Sequence, residues 1–103
     1  MPQRVISNAD LEKIVRTNDE WIVSRTGIKE RRVAADDEAT SDLAAAAADE
    51  ALKFAGVKPD DVDMLIVCTV TGDTPTPSCA SFVQARLGAR NAFAFDVGAA
   101  CAG

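Results

Sequence analysis

A chain of 103 residues with 48% apolar and 26% charged side chains and a net charge of −5 has room for one small domain with a modest core. It is small for an enzyme that must enclose a coenzyme-sized substrate, so part of something larger is expected. The acidic balance argues against a nucleic-acid surface, because the only dense basic stretch, Lys29-Glu30-Arg31-Arg32, reads as a solvated strand or loop face. No apolar run approaches the ~20 residues that span a membrane, and no basic segment followed by an apolar one opens the sequence, so the cytoplasm is the expected compartment.

Ser7-Asn8 stands before Ala9 to Val15, a cap and early acids ahead of Leu11, Ile14 and Val15 at helical spacing, which predicts a short helix. Thr17 opens a second: Thr17-x-x-Glu20 has the form of a capping box, and Gly27 is a left-handed stop. Trp21 and Arg25, four apart, share a face of it. Ile28 to Ala34 is charged and β-compatible. Thr40 or Ser41 caps the strongest predicted helix, which runs to about Ala55 with Leu43, Ala47, Ala51 and Phe54 on one face and Gly56 as its stop.

Lys58-Pro59-Asp60-Asp61 is a turn into Met64 to Val70, a continuous apolar run of the kind found in strands covered on both faces. Thr71 to Pro77 is a loop, Ser78 to Leu87 a helix closed by Gly88, and Ala92 to Val97 a second strand. Strand, ten-residue helix and strand make a βαβ crossover, with two parallel strands and a right-handed connection. In such sheets ligands bind beyond the carboxyl ends of the strands. The Thr71 to Pro77 loop and Cys101 both lie there, and no linker interrupts the chain.

Chemistry concentrates in Phe95-Asp96-Val97-Gly98-Ala99-Ala100-Cys101-Ala102-Gly103. Small residues surround a cysteine just past a strand, where a following helix N-terminus would favour thiolate and make the sulfur a nucleophile. Free cysteine is often only a small buried hydrophobe, but this position argues against that for Cys101. Cys68, inside the apolar strand, is expected to be desolvated and inert, and Cys79, in the first turn of a helix, to serve packing. Three cysteines at no metal-type spacing and no histidine leave a zinc site without its usual partners, and fit reduced thiols. A cysteine nucleophile in acyl transfer usually works with an imidazole, which must come from elsewhere. Trp21, the single tryptophan, is either a core plug or a flat surface for a planar ligand, and Arg25 one turn on suits an adenine ring with phosphates.

Taken together, Thr17 to Arg31 (TNDEWIVSRTGIKER) and Asp96 to Gly103 (DVGAACAG) resemble β-ketoacyl-acyl-carrier-protein synthase III, the initiating condensing enzyme of type II fatty acid synthesis. The resemblance covers essentially the whole chain. It implies an α/β, thiolase-like αβαβα fold, of which residues 1–103 would be part of the N-terminal half: the βαβ unit and the helices before it. Met1 to Val5 stands where family members already have a first core strand and a glycine turn behind them. The sequence is thus expected to start, as well as end, inside that domain, with the C-terminal half absent.

What the resemblance implies for function is a decarboxylative Claisen condensation. Cys101 would take an acyl group from acyl-CoA as a thioester and pass it to the carbanion of decarboxylated malonyl-ACP, with a His and an Asn from the C-terminal half. The complete enzyme would be a homodimer with no cofactor beyond acyl-CoA as substrate, and with no nucleic-acid or membrane partner. This chain alone would be inactive. Trp21 matches the residue that stacks on the CoA adenine, Arg25 the one at the nucleotide's charged end, and Thr17 one that contacts the base. Thr76 stands where some members carry a bulky aromatic that reaches across the dimer to wall off the partner's acyl pocket. Two alternatives remain open: a related condensing enzyme (a polyketide starter-unit or hydroxymethylglutaryl-CoA synthase), or a non-catalytic module that binds CoA or a partner.

Overall fold

In the computed structural model, which describes residues 1–103, the chain forms two units, residues 1–37 and 38–103, where its length and unbroken course predict one. Each unit is organised around its own buried polar group.

In the first unit that group is Asn8. Strand β1 (Arg4–Ser7), which the sequence pattern did not signal, pairs antiparallel with β2 (Glu30–Val33), from Arg4 opposite Val33 to Ser7 opposite Glu30. Helix α1 (Asn8–Leu11) follows at once. The Ser7 hydroxyl accepts from the Asp10 N–H at 3.2 Å and the Asp10 carboxylate accepts from the Ser7 N–H at 3.1 Å, a reciprocal cap of one helical turn. The helix stops at Leu11, short of the predicted Val15, and Ile14 and Val15 are exposed. The chain turns away because Glu12 accepts from the Asp19 N–H at 2.8 Å, directing it into α2 (Asp19–Thr26).

That second helix is capped by Asn18, whose Oδ1 accepts from the Trp21 N–H at 2.8 Å, so the box predicted on Thr17 does not form. Asparagine is the stronger N-cap of the two. Gly27 ends α2 in the left-handed region (φ 71°), as the sequence predicts. Asn8, 1% exposed, then ties the ends together. Its Nδ2 donates to Asp19 at 2.7 Å and to the Ile28 carbonyl at 2.8 Å, and its Oδ1 accepts from Arg31 at 2.8 Å. Arg31 is therefore half-buried structure, not the solvated charge expected of that basic stretch. The Ser7 hydroxyl, followed by Lys13, holds Asp10 down to about 2. A lowered pKa favours the fold above the normal carboxylate range, and that contribution disappears as pH falls through about 2.

The second unit is a βαβ arrangement with one helix before it: α3 (Thr40–Ala55), β3 (Met64–Cys68), α4 (Cys79–Leu87) and β4 (Phe93–Val97). The two strands are parallel, from Met64 opposite Phe93 to Cys68 opposite Val97, as the crossover predicts. Pro59–Asp61 is a 3-10 turn before β3, and Gly56 and Gly88 end their helices at positive φ. Ala45, Leu65, Ala80, Val83, Ala89 and Ala92 form the core, its small side chains allowing the helices close approach.

Two expectations fail here for physical reasons. Helix α3 buries Ser41 and Ala45 and turns Phe54, 97% exposed, to the outside, so the predicted apolar face is rotated away from the core. Ser41 sets that rotation, because both its N–H (2.9 Å) and its hydroxyl donate to the Asp73 carboxylate. With Ser41 so engaged and the Thr40 hydroxyl donating to the Thr71 carbonyl at 2.6 Å, neither caps the helix. Asp42 accepts instead from the Ala39 N–H at 2.8 Å. Strand β3 is covered on one face only: Leu65 is buried and Val67 half-buried, whereas Met64, Ile66 and Cys68 are exposed. The core packs against one face of this two-stranded sheet, and on the other Met64, Ile66, Cys68, Phe93 and Phe95 are exposed.

Asp96, in β4, accepts from the N–H groups of Cys79 and Ala80 at 2.7 Å each, the first turn of α4. Asp96→Ala orphans two donors on residues that are wholly buried and is expected to cost about 2–4 kcal/mol. Urea unfolding should show a lower midpoint for Asp96→Ala and a smaller drop for Asp96→Asn, which keeps one acceptor. An unchanged midpoint in both would mean that the cap contributes nothing.

Candidate active site

Burial of Ile22 rotates α2 so that Trp21, 57% exposed, points outward, and the choice left open by the sequence resolves to a surface ring. The Arg25 guanidinium lies over that ring, 5.7 Å from its centroid, as expected of an i, i+4 pair. Beside the ring is a hollow of about 270 Å³ lined by Arg16, Thr17, Asn18 and Trp21. Thr17, released from capping, is half-buried in it. Thus the Trp21 ring has the Thr17 hydroxyl beside it, from just before α2, and the Arg25 guanidinium over it, from the last turn of the same helix. Sequence reasoning missed Arg16, since it falls outside both helices and no periodicity marks it.

In the second unit β4 runs into Gly98-Ala99 and then a single 3-10 turn, Ala100–Ala102. The Ala102 N–H donates to the Ala99 carbonyl at 3.0 Å and that of Gly103 to the Ala100 carbonyl at 3.2 Å. Cys101 is in the middle of this turn and exposed. Cys101 thus stands in a 3-10 turn and not at the expected α-helix N-terminus. Ala100 has φ 48°, a left-handed conformation that costs a residue with a Cβ roughly 1–2 kcal/mol. The strained residue immediately precedes the candidate nucleophile.

The other two cysteines separate clearly. Cys68 is exposed at the end of β3, on the uncovered face of the sheet, so the expectation of a desolvated thiol is corrected. Cys79 is buried in the first turn of α4, with its Sγ 3.7 Å from Asp73. Burial, reinforced by the Asp73 carboxylate, pushes its thiol up, in keeping with a packing role. The Ser41 hydroxyl and N–H hold Asp73 itself low, so the carboxylate beside the thiol stays charged. Thr76 is exposed in the loop that leaves β3, at the same carboxyl end of the sheet as Cys101.

No family model matches the sequence. Over all 103 residues, however, it is 57% identical to β-ketoacyl-[acyl-carrier-protein] synthase III of Listeria monocytogenes, covering 33% of that protein. The resemblance is to β-ketoacyl-ACP synthase III, along the whole chain. The crystal structure of the synthase III from Aquifex aeolicus superposes with a TM-score of 0.85 at 48% identity, over 96% of this chain and 32% of that one. The priming β-ketosynthase of the R1128 polyketide pathway follows with a TM-score of 0.84 at 39% identity, over 95% of this chain and 29% of its own. The chain spans about a third of the length of the curated synthase III relatives it matches. Its α/β fold is that of the thiolase-like ketoacyl synthases over that third.

Exposure predicts how the three thiols react. Iodoacetamide at neutral pH should alkylate Cys68 and Cys101 in the native chain and leave Cys79 untouched until urea unfolds it, as read by peptide mass spectrometry. Labelling of Cys79 in the native chain would contradict its burial and raised pKa.

Proposed function

We propose that this sequence belongs to an acyltransferase that begins fatty acid synthesis, condensing an acyl-CoA primer with malonyl-ACP through a thioester on Cys101. Support comes above all from the exposed thiol at the carboxyl end of a parallel strand, just after a left-handed alanine. The Cys101 thiolate attacks the carbonyl carbon of acyl-CoA, the C–S bond of the coenzyme breaks, and CoA leaves as the thiol after taking up a proton. Malonyl-ACP then loses CO₂, and the carbanion so formed attacks the acyl-Cys101 thioester. The new C–C bond gives β-ketoacyl-ACP and returns the Cys101 thiolate.

The developing enolate oxygen needs hydrogen-bond donors. In the resembled enzymes these are a His and an Asn outside residues 1–103, and this chain has no histidine. On this reading Trp21 stacks on the adenine of CoA, Thr17 contacts the base, Arg25 meets the charged end of the nucleotide, and the complete enzyme acts as a cytoplasmic homodimer. Thr76, small where an aromatic wall could stand, leaves room for primers longer or more branched than acetyl. The polyketide-priming alternative draws on the R1128 neighbour, but the identities of 55–57% to proteins named synthase III favour the fatty acid enzyme.

The test is a full-length enzyme in which this sequence replaces the matching third of the Listeria monocytogenes protein. It should make β-ketoacyl-ACP, whereas the 103-residue chain alone should make none. Trp21→Ala should raise the KM for acyl-CoA by the equivalent of roughly 1–3 kcal/mol, a stacked base's worth, and leave the KM for malonyl-ACP nearly unchanged. Thr76→Phe should shift kcat/KM towards acetyl-CoA. Product from the short chain alone, or equal rises in both KM values with loss of thermal stability in Trp21→Ala, would contradict the assignment.

A further inference from the structure

We infer that Arg16 is a second phosphate contact of the nucleotide site, so that the Trp21 ring is flanked by two cations serving two separate phosphate groups of one ligand. This rests on the reading of the hollow as a nucleotide site and extends it to a residue that the family resemblance does not assign.

Four residues line the hollow, Arg16, Thr17, Asn18 and Trp21, and Arg16 is the only charged one; no carboxylate faces it. Of the acids nearby, Asp19 is held by Asn8 at 2.7 Å, and Glu12 accepts from the Asp19 N–H. Lys13, Arg31 and Arg32 of this unit are engaged, with Asp10, Asn8 and Glu30 respectively, and Arg25 lies over the Trp21 ring. Arg16 is exposed and makes no ion pair. An exposed arginine ordinarily only solubilises a surface. This one stands in a concavity beside the single tryptophan, with the Thr17 hydroxyl for company.

Position in the chain separates the two guanidinium groups. Arg16 precedes α2, whereas Arg25 is in its last turn and lies over the ring. A base stacked on the open side of the ring would thus meet one cation from the N-terminal side of the helix and one from within it. A guanidinium offers bidentate donors that match phosphate oxygens. A ligand with a single phosphate group uses one of these cations. Coenzyme A, with a 3′-phosphate and a 5′-diphosphate on one adenosine, can use both.

Because Trp21 is the only tryptophan, its fluorescence reports binding directly in the 103-residue chain. Titrations with CoA, 3′-dephospho-CoA and adenosine would be run on wild type, Arg16→Ala and Arg16→Lys, with unfolding midpoints recorded for each. For Arg16→Ala the expected result is a Kd for CoA raised about two- to five-fold, the upper range for an exposed charge pair. Adenosine binding should be unchanged, the Lys variant should recover most of the loss, and all three midpoints should coincide. If the loss vanishes with dephospho-CoA, Arg16 serves the 3′-phosphate; if it persists, Arg16 serves the diphosphate, and either outcome supports the inference. Unchanged CoA affinity in Arg16→Ala, or equal losses for CoA and adenosine, overturns it while leaving the nucleotide site standing. Absence of any CoA-dependent quenching in wild type overturns the nucleotide site itself, and the role of Arg16 with it.

Discussion

The Asp96 carboxylate does two jobs at once: it lies in the strand that leads to Cys101, and both its oxygens cap the helix that precedes that strand. A charge-assisted bond to each of two buried N–H groups satisfies donors that no water reaches, and a carboxylate is favoured at a helix N-terminus by the macrodipole as well. The tie sets where β4 lies against α4, and hence where the Gly98-Ala99-Ala100 turn begins. Asp73 repeats the device for α3 through Ser41, and its Oδ1 also accepts from the Cys79 thiol. Two carboxylates from outside the helices thus determine which way both helices of the second unit face.

Asn8 has the same function in the first unit, with neutral chemistry. An amide that both donates and accepts can join Asp19 at the start of α2, the Ile28 carbonyl beyond its end and Arg31 in β2 without leaving a buried polar atom unpaired. With both ends of α2 held, its outer face is free for a role other than stability. Trp21, Arg25 and the hollow beside them occupy that face. An exposed tryptophan loses apolar burial that would favour folding, and binding a planar ligand recovers it.

What the sequence made legible was local. Glycines at 27, 56 and 88 end helices because each needs φ near +70°, a requirement written in one residue. The Trp21–Arg25 face and the βαβ order likewise follow from spacing. What stayed hidden depends on partners far along the chain. The rotation of α3 is set by a bond from Ser41 to Asp73, 32 positions away, so the apolar pattern pointed to the wrong face. Strand β1 exists only by pairing with residues 30–33. Cys68 sits in a run that reads as doubly covered, but the apolar pattern of a strand cannot say how many layers surround it. Arg16 carries no periodic signal, and only the shape of the surface reveals it.

The account's central claim is that Cys101 alone of the three thiols accepts an acyl group. The direct measurement is to incubate the full-length enzyme carrying this sequence with acetyl-CoA in the absence of malonyl-ACP, then map the thioester by peptide mass spectrometry under acidic conditions. The account predicts one acetyl group per chain, on Cys101, and none after Cys101→Ser. Acetyl on Cys68 with Cys101 unmodified would contradict it, because Cys68 is exposed as well but lies in β3, without a left-handed residue before it.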